Sequence, residues 1–400
     1  MQTDGMMQRP SIHQNMQNMQ NMTQDMAEQE QDSRPHSERA NRPAPRIMDR
    51  SRRIARSRST KAFRVLGSLA AGLILLMILC LQLGTEYIGL QRMVDLILRA
   101  LRQGDWGRES IGTTGMILFH VRLPRILLSV IVGASLASVG VVLQALLRNP
   151  LADPYVVGVS SGASLGAALA ILFGIGTSFL ALTALPLCAF AGGLLSLVLV
   201  YRLGATQGRL SIHSLLLAGV ILNAIFSALI MFSTLLMDPN RSFGLMAWLM
   251  GTLTLQVSPG LTVLLVYILV GLALLLTQLR SLNLMTLGEE SARACGVDTE
   301  RVKKRLFVTA ALVTGAVVSV SGMIGFVGMV VPHAVRLLFG ADHRLLFPAS
   351  ALVGGMALLL ADTAARTLLA PTEIPVGIVT ALAGGPLFLY LLLWRKDRLA

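Results

Sequence analysis

The sequence predicts an all-α polytopic membrane protein with ten transmembrane helices. Two features of its composition support this class: 54% of the 400 residues are hydrophobic and 14% are charged, with a mean hydropathy of +0.67. Soluble domains are less hydrophobic and carry more charge than this, whereas a membrane-spanning helix needs about 20 mostly apolar residues. The third observation is that apolar runs of this length recur along the chain between short charged segments.

The basic charge lies mainly before the first apolar run. The net charge is +13, and ten Lys and Arg residues with one acid, Asp49, lie between Arg39 and Arg64. Because basic loops stay on the cytoplasmic side and attract anionic lipid, this placement predicts a cytoplasmic N-terminus beside membrane lipid. Nucleic acid is not predicted as a partner. The three cysteines are scattered and lack the spacing of metal ligands.

Residues 1–60 form a predicted N-terminal extension. They combine this basic segment with a stretch rich in Met, Gln, Asn and Ser, which cannot bury enough apolar surface to order itself. We therefore expect a disordered, basic cytoplasmic extension, followed by a transmembrane domain at 61–400.

The apolar runs define the spans of this domain. An amphipathic segment at 84–121 follows the first span, and a short helix containing Trp248 follows the fifth. The stretch 306–339 could hold two short spans or one long one, and hydropathy alone leaves both open. With two, the spans are 65–83, 126–147, two within 154–201, 214–237, 260–279, two within 306–339, 345–366 and 374–394. This count places both termini on the cytoplasmic side.

A long, charged, helix-forming loop in the second half of the chain is predicted at about 286–304. Thr286 and Glu289 have capping-box spacing, Gly296 can take the left-handed conformation that ends a helix, and Asp298 can cap the next one. We expect two short helices on the cytoplasmic face. The loop could be merely solvated, or it could be a docking surface for a cytosolic partner.

Small and polar residues inside the spans have two interpretations each. Gly158 and Gly162 have the four-residue spacing of closely packed helices, and the serines beside them, Ser160, Ser161 and Ser164, could line a polar path instead.

Three further positions are ionisable or kink-forming. Asp362 and Arg366 stand four residues apart and can pair, which fits either a structural or a functional role. Pro332 and His333 mark a kink, where the histidine is expected to be structural. No metal site is predicted, since no second ligand lies at a suitable spacing.

Two motifs of soluble catalysis are absent from the sequence. It contains no GxxxxGK(S/T) loop for the phosphates of ATP and no HExxH. We predict that the chain is not an enzyme and binds no cofactor directly.

Several stretches together carry a resemblance to a known family. They are RLPRILLSVIVGASLASVGVVLQALLRNPLADPYVVGVSSGASLG (122–166), LLLAGVILNAIFSAL (215–229), the GEESARACGVD loop, IGFVGMVVPHAVRLLFGADHR (324–344) and LLLADTAARTLLAPTEIPVGIVTALAGGP (358–386). Over about 65–395, and in order, the sequence resembles the FecCD/BtuC-type permeases of bacterial ABC importers, which take up iron-siderophores, haem or vitamin B12. Residues 1 to about 60 match nothing in that pattern.

This resemblance implies a type II ABC importer fold of ten helices in the bacterial inner membrane, with two crossings in 306–339. It implies a homodimer with two cytosolic ATPase subunits, which hold ATP and Mg, and a substrate-binding protein on the outer face. It also implies that the charged loop forms coupling helices that contact the ATPase, through Gly288, Glu289, Glu290, Ala292, Arg293, Gly296 and Val297. By motif, Arg122 of RLPR and Arg366 of ADTAAR would dock the binding protein.

The leading hypothesis is therefore the permease subunit of an ATP-driven importer for an iron chelate, a siderophore before haem or cobalamin. The alternative is an ion-coupled secondary transporter that uses Asp362 and Arg366. A third hypothesis is a membrane receptor whose basic extension binds nucleic acid or lipid.

Overall fold

The computed structural model describes residues 47–84, 87–103, 108–175, 181–206, 209–253 and 259–396. The chain divides into units of residues 1–63 and 64–400. In the first unit only 47–63 are described, and they are helical, so 47–60 of the predicted disordered extension is helical in the structure. The prediction for residues 1–46 lies outside the described residues.

Helices make up almost all of the described chain. They are α1 Ile47–Gln82, α2 Leu90–Gln103, α3 Arg108–Met116, a π-helical turn Ile117–Arg122, α4 Leu123–Leu146, a 3₁₀ turn Pro154–Val157, α5 Val159–Leu172, α6 Ala181–Gly204, α7 Ile212–Leu235, α8 Pro239–Leu249, α9 Pro259–Thr277, α10 Leu279–Met285, α11 Glu289–Ala294, α12 Thr299–Ser321, α13 Val327–Phe339, α14 His343–Thr367 and α15 Val376–Lys396. Two-residue strands β1 Ala205–Thr206 and β2 Arg209–Leu210 pair antiparallel between α6 and α7.

Six of the described helices are long and apolar enough to cross a membrane, and a seventh span forms if α9 and α10, bent by 48°, count as one. Three shorter apolar helices lie in α5, α13 and α15. The structure therefore confirms a helical protein with several membrane spans. The predicted number of ten is not confirmed by length and composition.

Helix α4 lies at the centre of the fold, where glycines let its neighbours approach. A Cβ atom on Gly133 would lie 2.3 Å from the carbonyl oxygen of Gly354 in α14, and one on Gly140 would clash with the backbone of Gly328 in α13. Such close backbone contact is how small residues pack helices in a membrane, where apolar burial gives little drive for association.

The uncertain stretch 306–339 is two helices. The chain breaks between α12 and α13, where Gly322 and Phe326 both have positive φ angles, of 64° and 69°. The break is held from outside, because the N–H of Thr252 donates to the carbonyl of Ser321 at 2.9 Å. Hydropathy left open one long helix or two short ones, and the structure shows two helices.

Candidate coupling and docking sites

The cytoplasmic loop starts differently from its prediction. Gly288, with a φ of 113°, precedes α11 and no side chain caps this end. The hydroxyl of Thr286 instead donates to the carbonyl of Asn283 at 2.7 Å. The predicted capping box is wrong because Thr286 still belongs to the final turn of α10, and its side chain bonds back along that helix.

The two remaining turn signals are confirmed. Gly296 is left-handed, with a φ of 82°, and its N–H donates to the carbonyl of Arg293 at 2.8 Å. The N–H of Val297 donates to the carbonyl of Ala292 at 3.0 Å, which completes a Schellman motif. Asp298 accepts a hydrogen bond from the N–H of Arg301 at 3.1 Å and caps α12. The second helix is not short, however, since α12 continues to Ser321.

A buried lysine fastens this loop to the membrane helix. Lys303 has a side chain only 7% exposed, and its Nζ lies 2.6 Å from Oε1 of Glu300 and 3.3 Å from Oε2 of Glu289. Glu300 also accepts from the N–H of Leu210 at 3.2 Å. Because a buried cation needs such partners, Glu289 is primarily a structural anchor between α11 and α12.

The outward face of α11 carries different residues. Ala292 is fully buried beneath the helix, whereas Glu290 and Arg293 are exposed, and Leu287 just before it is 72% exposed. Arg293 is also held in place, since its Nε donates to Oγ1 of Thr299 at 2.9 Å. Leu287 was not predicted as a site residue, although a lone leucine in a polar turn is the signal that could have found it.

The glycines and serines of α5 serve helix packing. A Cβ atom on Gly162 would lie 2.4 Å from the Cβ of Ser196 in α6, and Gly158, with a φ of 85°, accepts from Ser196 Oγ at 2.8 Å through its carbonyl. Ser164 Oγ donates to the carbonyl of Ser160 at 2.9 Å, and Ser161 Oγ to Asn223 Oδ1 in α7 at 2.6 Å. These contacts favour packing over a polar path for most of this set.

Asp362 lies at the centre of a second charged cluster, where α4 begins and α14 ends. Its Oδ2 lies 3.0 Å from Nε of Arg366, as the spacing predicted, and its Oδ1 lies 2.9 Å from Nε of Arg125. Arg125 also reaches Oε2 of Glu373 at 2.9 Å. Sequence reasoning missed Arg125, although it is the last residue of the same RLPR motif that suggested Arg122.

The two predicted docking arginines are buried. Arg122 is 4% exposed, and its Nη1 donates to the carbonyls of Leu81 and Gln82 at 3.0 and 3.4 Å. Arg366 is 6% exposed against Asp362. Neither arginine presents exposed charge in this conformation, because Arg122 donates to backbone carbonyls at the end of α1 and Arg366 pairs with the buried carboxylate of Asp362. Their docking role stays a prediction.

Pro332 and His333 lie inside α13, and both are buried. The His333 ring packs edge-on against Phe388 of α15, with 6.2 Å between ring centroids. Within the described ranges no group of three or more His, Cys, Asp or Glu side chains is arranged to hold a metal ion.

Asn283 and Asp342 join α10 to the start of α14. Asn283 Nδ2 donates to Oδ1 of Asp342 at 2.8 Å, and the N–H of Arg344 donates to the same oxygen at 3.0 Å. Partial burial raises the pKa of Asp342, but these hydrogen bonds and the charge of Arg344 together outweigh it and lower that pKa below its ordinary value.

This fold and these clusters define a polytopic helical membrane protein with one charged, folded loop. The sequence profile of the FecCD transport family matches residues 72–394. The chain belongs to the FecCD transport family. The predicted class, a membrane permease of this type, is confirmed.

Individual relatives agree with that family. The hemin transport system permease protein HmuU of Yersinia pestis is 40% identical, over 84% of this chain and 98% of its own length. The cobalamin import system permease protein BtuC of Halobacterium salinarum is 46% identical, over 72% of this chain and 76% of its own. An inward-facing metal-chelate type ABC transporter is similar in structure, with a TM-score of 0.70 and 33% identity over 82% of this chain and 98% of that one.

Proposed function

We propose that the chain is the permease subunit of an ATP-driven importer of an iron chelate, a siderophore in first place, in the bacterial inner membrane. The observation that carries this proposal is the anchored cytoplasmic helix α11 in a FecCD-family chain. The relatives named for hemin and cobalamin transport support a large metal chelate as cargo. The ion-coupled transporter gains no support from these relatives.

We infer ten crossings for this subunit, with both termini cytoplasmic. Six long helices, the bent pair α9 and α10, and the three shorter apolar helices in α5, α13 and α15 together give this number. A short helix can cross only part of a bilayer of about 30 Å, so these three depend on neighbouring helices for the rest. Close glycine contacts of α5 with α6 and of α13 with α4 support this inference.

We propose that two such subunits form a homodimer above two cytosolic ATPase subunits, which bind ATP and Mg. The exposed residues Leu287, Glu290 and Arg293 then contact the ATPase. Movement of α11 is transmitted to α12 because Lys303 bridges Glu289 and Glu300. Gly288, Gly296, Val297 and the buried Ala292 set the shape of this coupling helix rather than touching the partner.

We propose that a substrate-binding protein docks at the opposite end, near Arg122 and Arg366. Since both arginines are buried here, docking through them requires the end of α1 to move away from Arg122. Glu373 is about half exposed and pairs with Arg125, so it offers an outer charge that this docking can reach directly.

The test is transport by the chain in proteoliposomes with its ATPase and binding protein. We expect uptake of one ferric siderophore, with hemin and cobalamin as competing cargos, only when ATP is hydrolysed. A matched sample with a non-hydrolysable nucleotide serves as the control. Uptake by the chain alone that an uncoupler abolishes would establish the secondary transporter instead.

A further inference from the structure

A cavity of about 490 Å³ lies where α4 and α13 end, beside the turn that leads into α11. Its lining includes Arg148, Arg336, His333, His343, Gln144 and Thr286. No Asp or Glu is among the described residues that line it. The cavity therefore presents basic and neutral groups only.

The two arginines of this cavity lack a close carboxylate partner. Arg336 is half-buried, and no carboxylate of the described chain pairs with it. Arg148 comes no closer than 4.0 Å to Oε1 of Glu289. Because a half-buried charge without a carboxylate partner is unfavourable, an anion in the cavity would stabilise Arg336, and the exposed Arg148 would supply a second positive charge.

Two residues that line this cavity also carry buried polar atoms without a partner. Gln144 donates through Nε2 to the carbonyl of Met329 at 2.9 Å, and its Oε1 has no partner among the residues described. His343 Nδ1 lies 2.7 Å from Oδ1 of Asn283, an acceptor, which leaves Nε2 without a partner in the described chain. Both atoms are enclosed by protein, so the arginines are the groups that a ligand in the cavity meets first.

Arg148 takes a backbone conformation that normally belongs to glycine. Its φ is 49°, and the N–H of Asn149 donates to the carbonyl of Gln144 at 3.1 Å, so α4 ends in a Schellman motif with arginine at the left-handed position. A glycine there would relieve this strain. Arg148→Gly therefore removes the charge of the side chain without adding backbone strain.

We propose that this cavity binds a phosphate group, supplied either as a free phosphate or as the headgroup of an anionic phospholipid. Phosphate oxygens suit the planar fork of arginine, and both a free phosphate and a phosphodiester headgroup present them. Phosphate binding is measured without cargo transport, so this test does not depend on the proposed function.

The first experiment uses the full chain in an uncharged detergent, titrated with inorganic phosphate at constant ionic strength with chloride as the balancing salt. We expect saturable binding by calorimetry and a rise in the unfolding temperature. Arg336→Gln and Arg148→Gly should each weaken binding by about tenfold or more, the equivalent of one lost charge-assisted hydrogen bond. Arg148→Lys should retain most of the affinity.

Without phosphate, the unfolding temperature of Arg148→Gly should be no lower than that of the wild type. Weaker binding by this variant therefore cannot be explained by unfolding. Arg280→Gln is the matched control, because Arg280 is an exposed arginine of α10 that does not line the cavity. If it weakens binding as much as the two cavity variants do, the proposal is overturned.

A second arm separates the two sources of phosphate. The unfolding temperature is compared in phosphatidylcholine nanodiscs with and without phosphatidylglycerol. Stabilisation by phosphatidylglycerol that Arg336→Gln removes assigns the headgroup, and binding of inorganic phosphate alone assigns a free anion. Absence of both effects in the wild type overturns the proposal.

Discussion

Two charged clusters lie at the ends of the permease that we propose to be cytoplasmic and outer, and they are built differently. The cytoplasmic cluster joins Glu289, Glu300 and Lys303, which are close in sequence, and its carboxylates remain 28% and 29% exposed. The outer cluster joins Arg125 to Asp362, 237 residues away, and Asp362 is fully buried. The first lies beside the proposed ATPase contact, whereas the second fastens α4 to α14.

The difference has an energetic basis. Partly exposed ion pairs contribute little, because water solvates their charges almost as well. A buried carboxylate that holds two arginines contributes little net stability either, yet removing it leaves Arg366 without a carboxylate partner in a poorly solvated site and Arg125 with Glu373 alone. We therefore expect the outer cluster to be sensitive to single substitutions and the surface of the cytoplasmic one to be tolerant.

The largest effect is expected for Asp362→Ala. It removes the shared acceptor of Arg125 and Arg366, and we expect a loss of about 3–5 kcal/mol of stability, as for broken buried ion pairs. Thermal unfolding in detergent measures it. Glu373→Ala, which removes only the half-exposed partner of Arg125, should cost less than about 1 kcal/mol. Equal losses in the two variants would contradict the central place given to Asp362.

Lys303→Ala should have the next largest effect. It leaves Glu289 and Glu300 as adjacent like charges and removes the bridge between α11 and α12, at a cost of about 1–3 kcal/mol. ATPase activity of the assembled complex should also persist while cargo uptake falls. The control is Arg301→Ala, an exposed residue that pairs only with Asp298 among the described side chains. A similar fall in uptake for both variants would refute a specific bridge.

Glu290→Arg should change transport without changing stability. The side chain is exposed and has no partner within the described residues, so the unfolding temperature should stay within experimental error. We expect a fall in ATP-driven uptake on the order of tenfold if Glu290 contacts the ATPase. Glu289→Gln serves for comparison, since it should lower stability as well. Normal uptake by Glu290→Arg would remove this residue from the proposed contact.

The smallest effect concerns pH and Asp342. Its lowered pKa means that its hydrogen bonds stabilise the fold fully above the ordinary carboxyl range, near pH 4, and that this contribution disappears as the pH falls through the lowered pKa. As the pH is lowered from about 6 to about 3, the unfolding temperature should fall less steeply for Asp342→Asn than for the wild type. Parallel curves for the two proteins would show that Asp342 contributes nothing to the acid sensitivity.

The turn chemistry of the cytoplasmic loop was largely predictable. Gly296 and Asp298 end and begin helices as their residue types predicted, because those effects depend on the next few residues only. The capping prediction for Thr286 was wrong because its hydroxyl could bond forward to α11 or back to α10, and in the structure it bonds back to Asn283. The count of ten spans stays a proposal, since the three short helices do not show their membrane depth through hydropathy.

Among the site residues, too, the sequence shows the local pattern, whereas the roles of neighbouring residues depend on packing. Glu289 and Glu290 are neighbours of the same charge, and only the position of Lys303 shows that one is an anchor and the other exposed. Likewise, RLPR contains two arginines, and the sequence could not show which one pairs with Asp362. In both cases the sequence indicates a segment, and the packing distinguishes the two residues within it.

By itself the sequence determined the class and the approximate positions of the long apolar helices, because a bilayer sorts segments by local hydropathy and charge, and its motifs determined the family. The tertiary structure alone decided that Arg122 and Arg366 are buried, that Arg125 joins α4 to α14, and that arginine occupies a left-handed position at Arg148. Such facts depend on which helices lie side by side, and glycine contacts such as Gly133 with Gly354 set that arrangement through backbone atoms far apart in the chain.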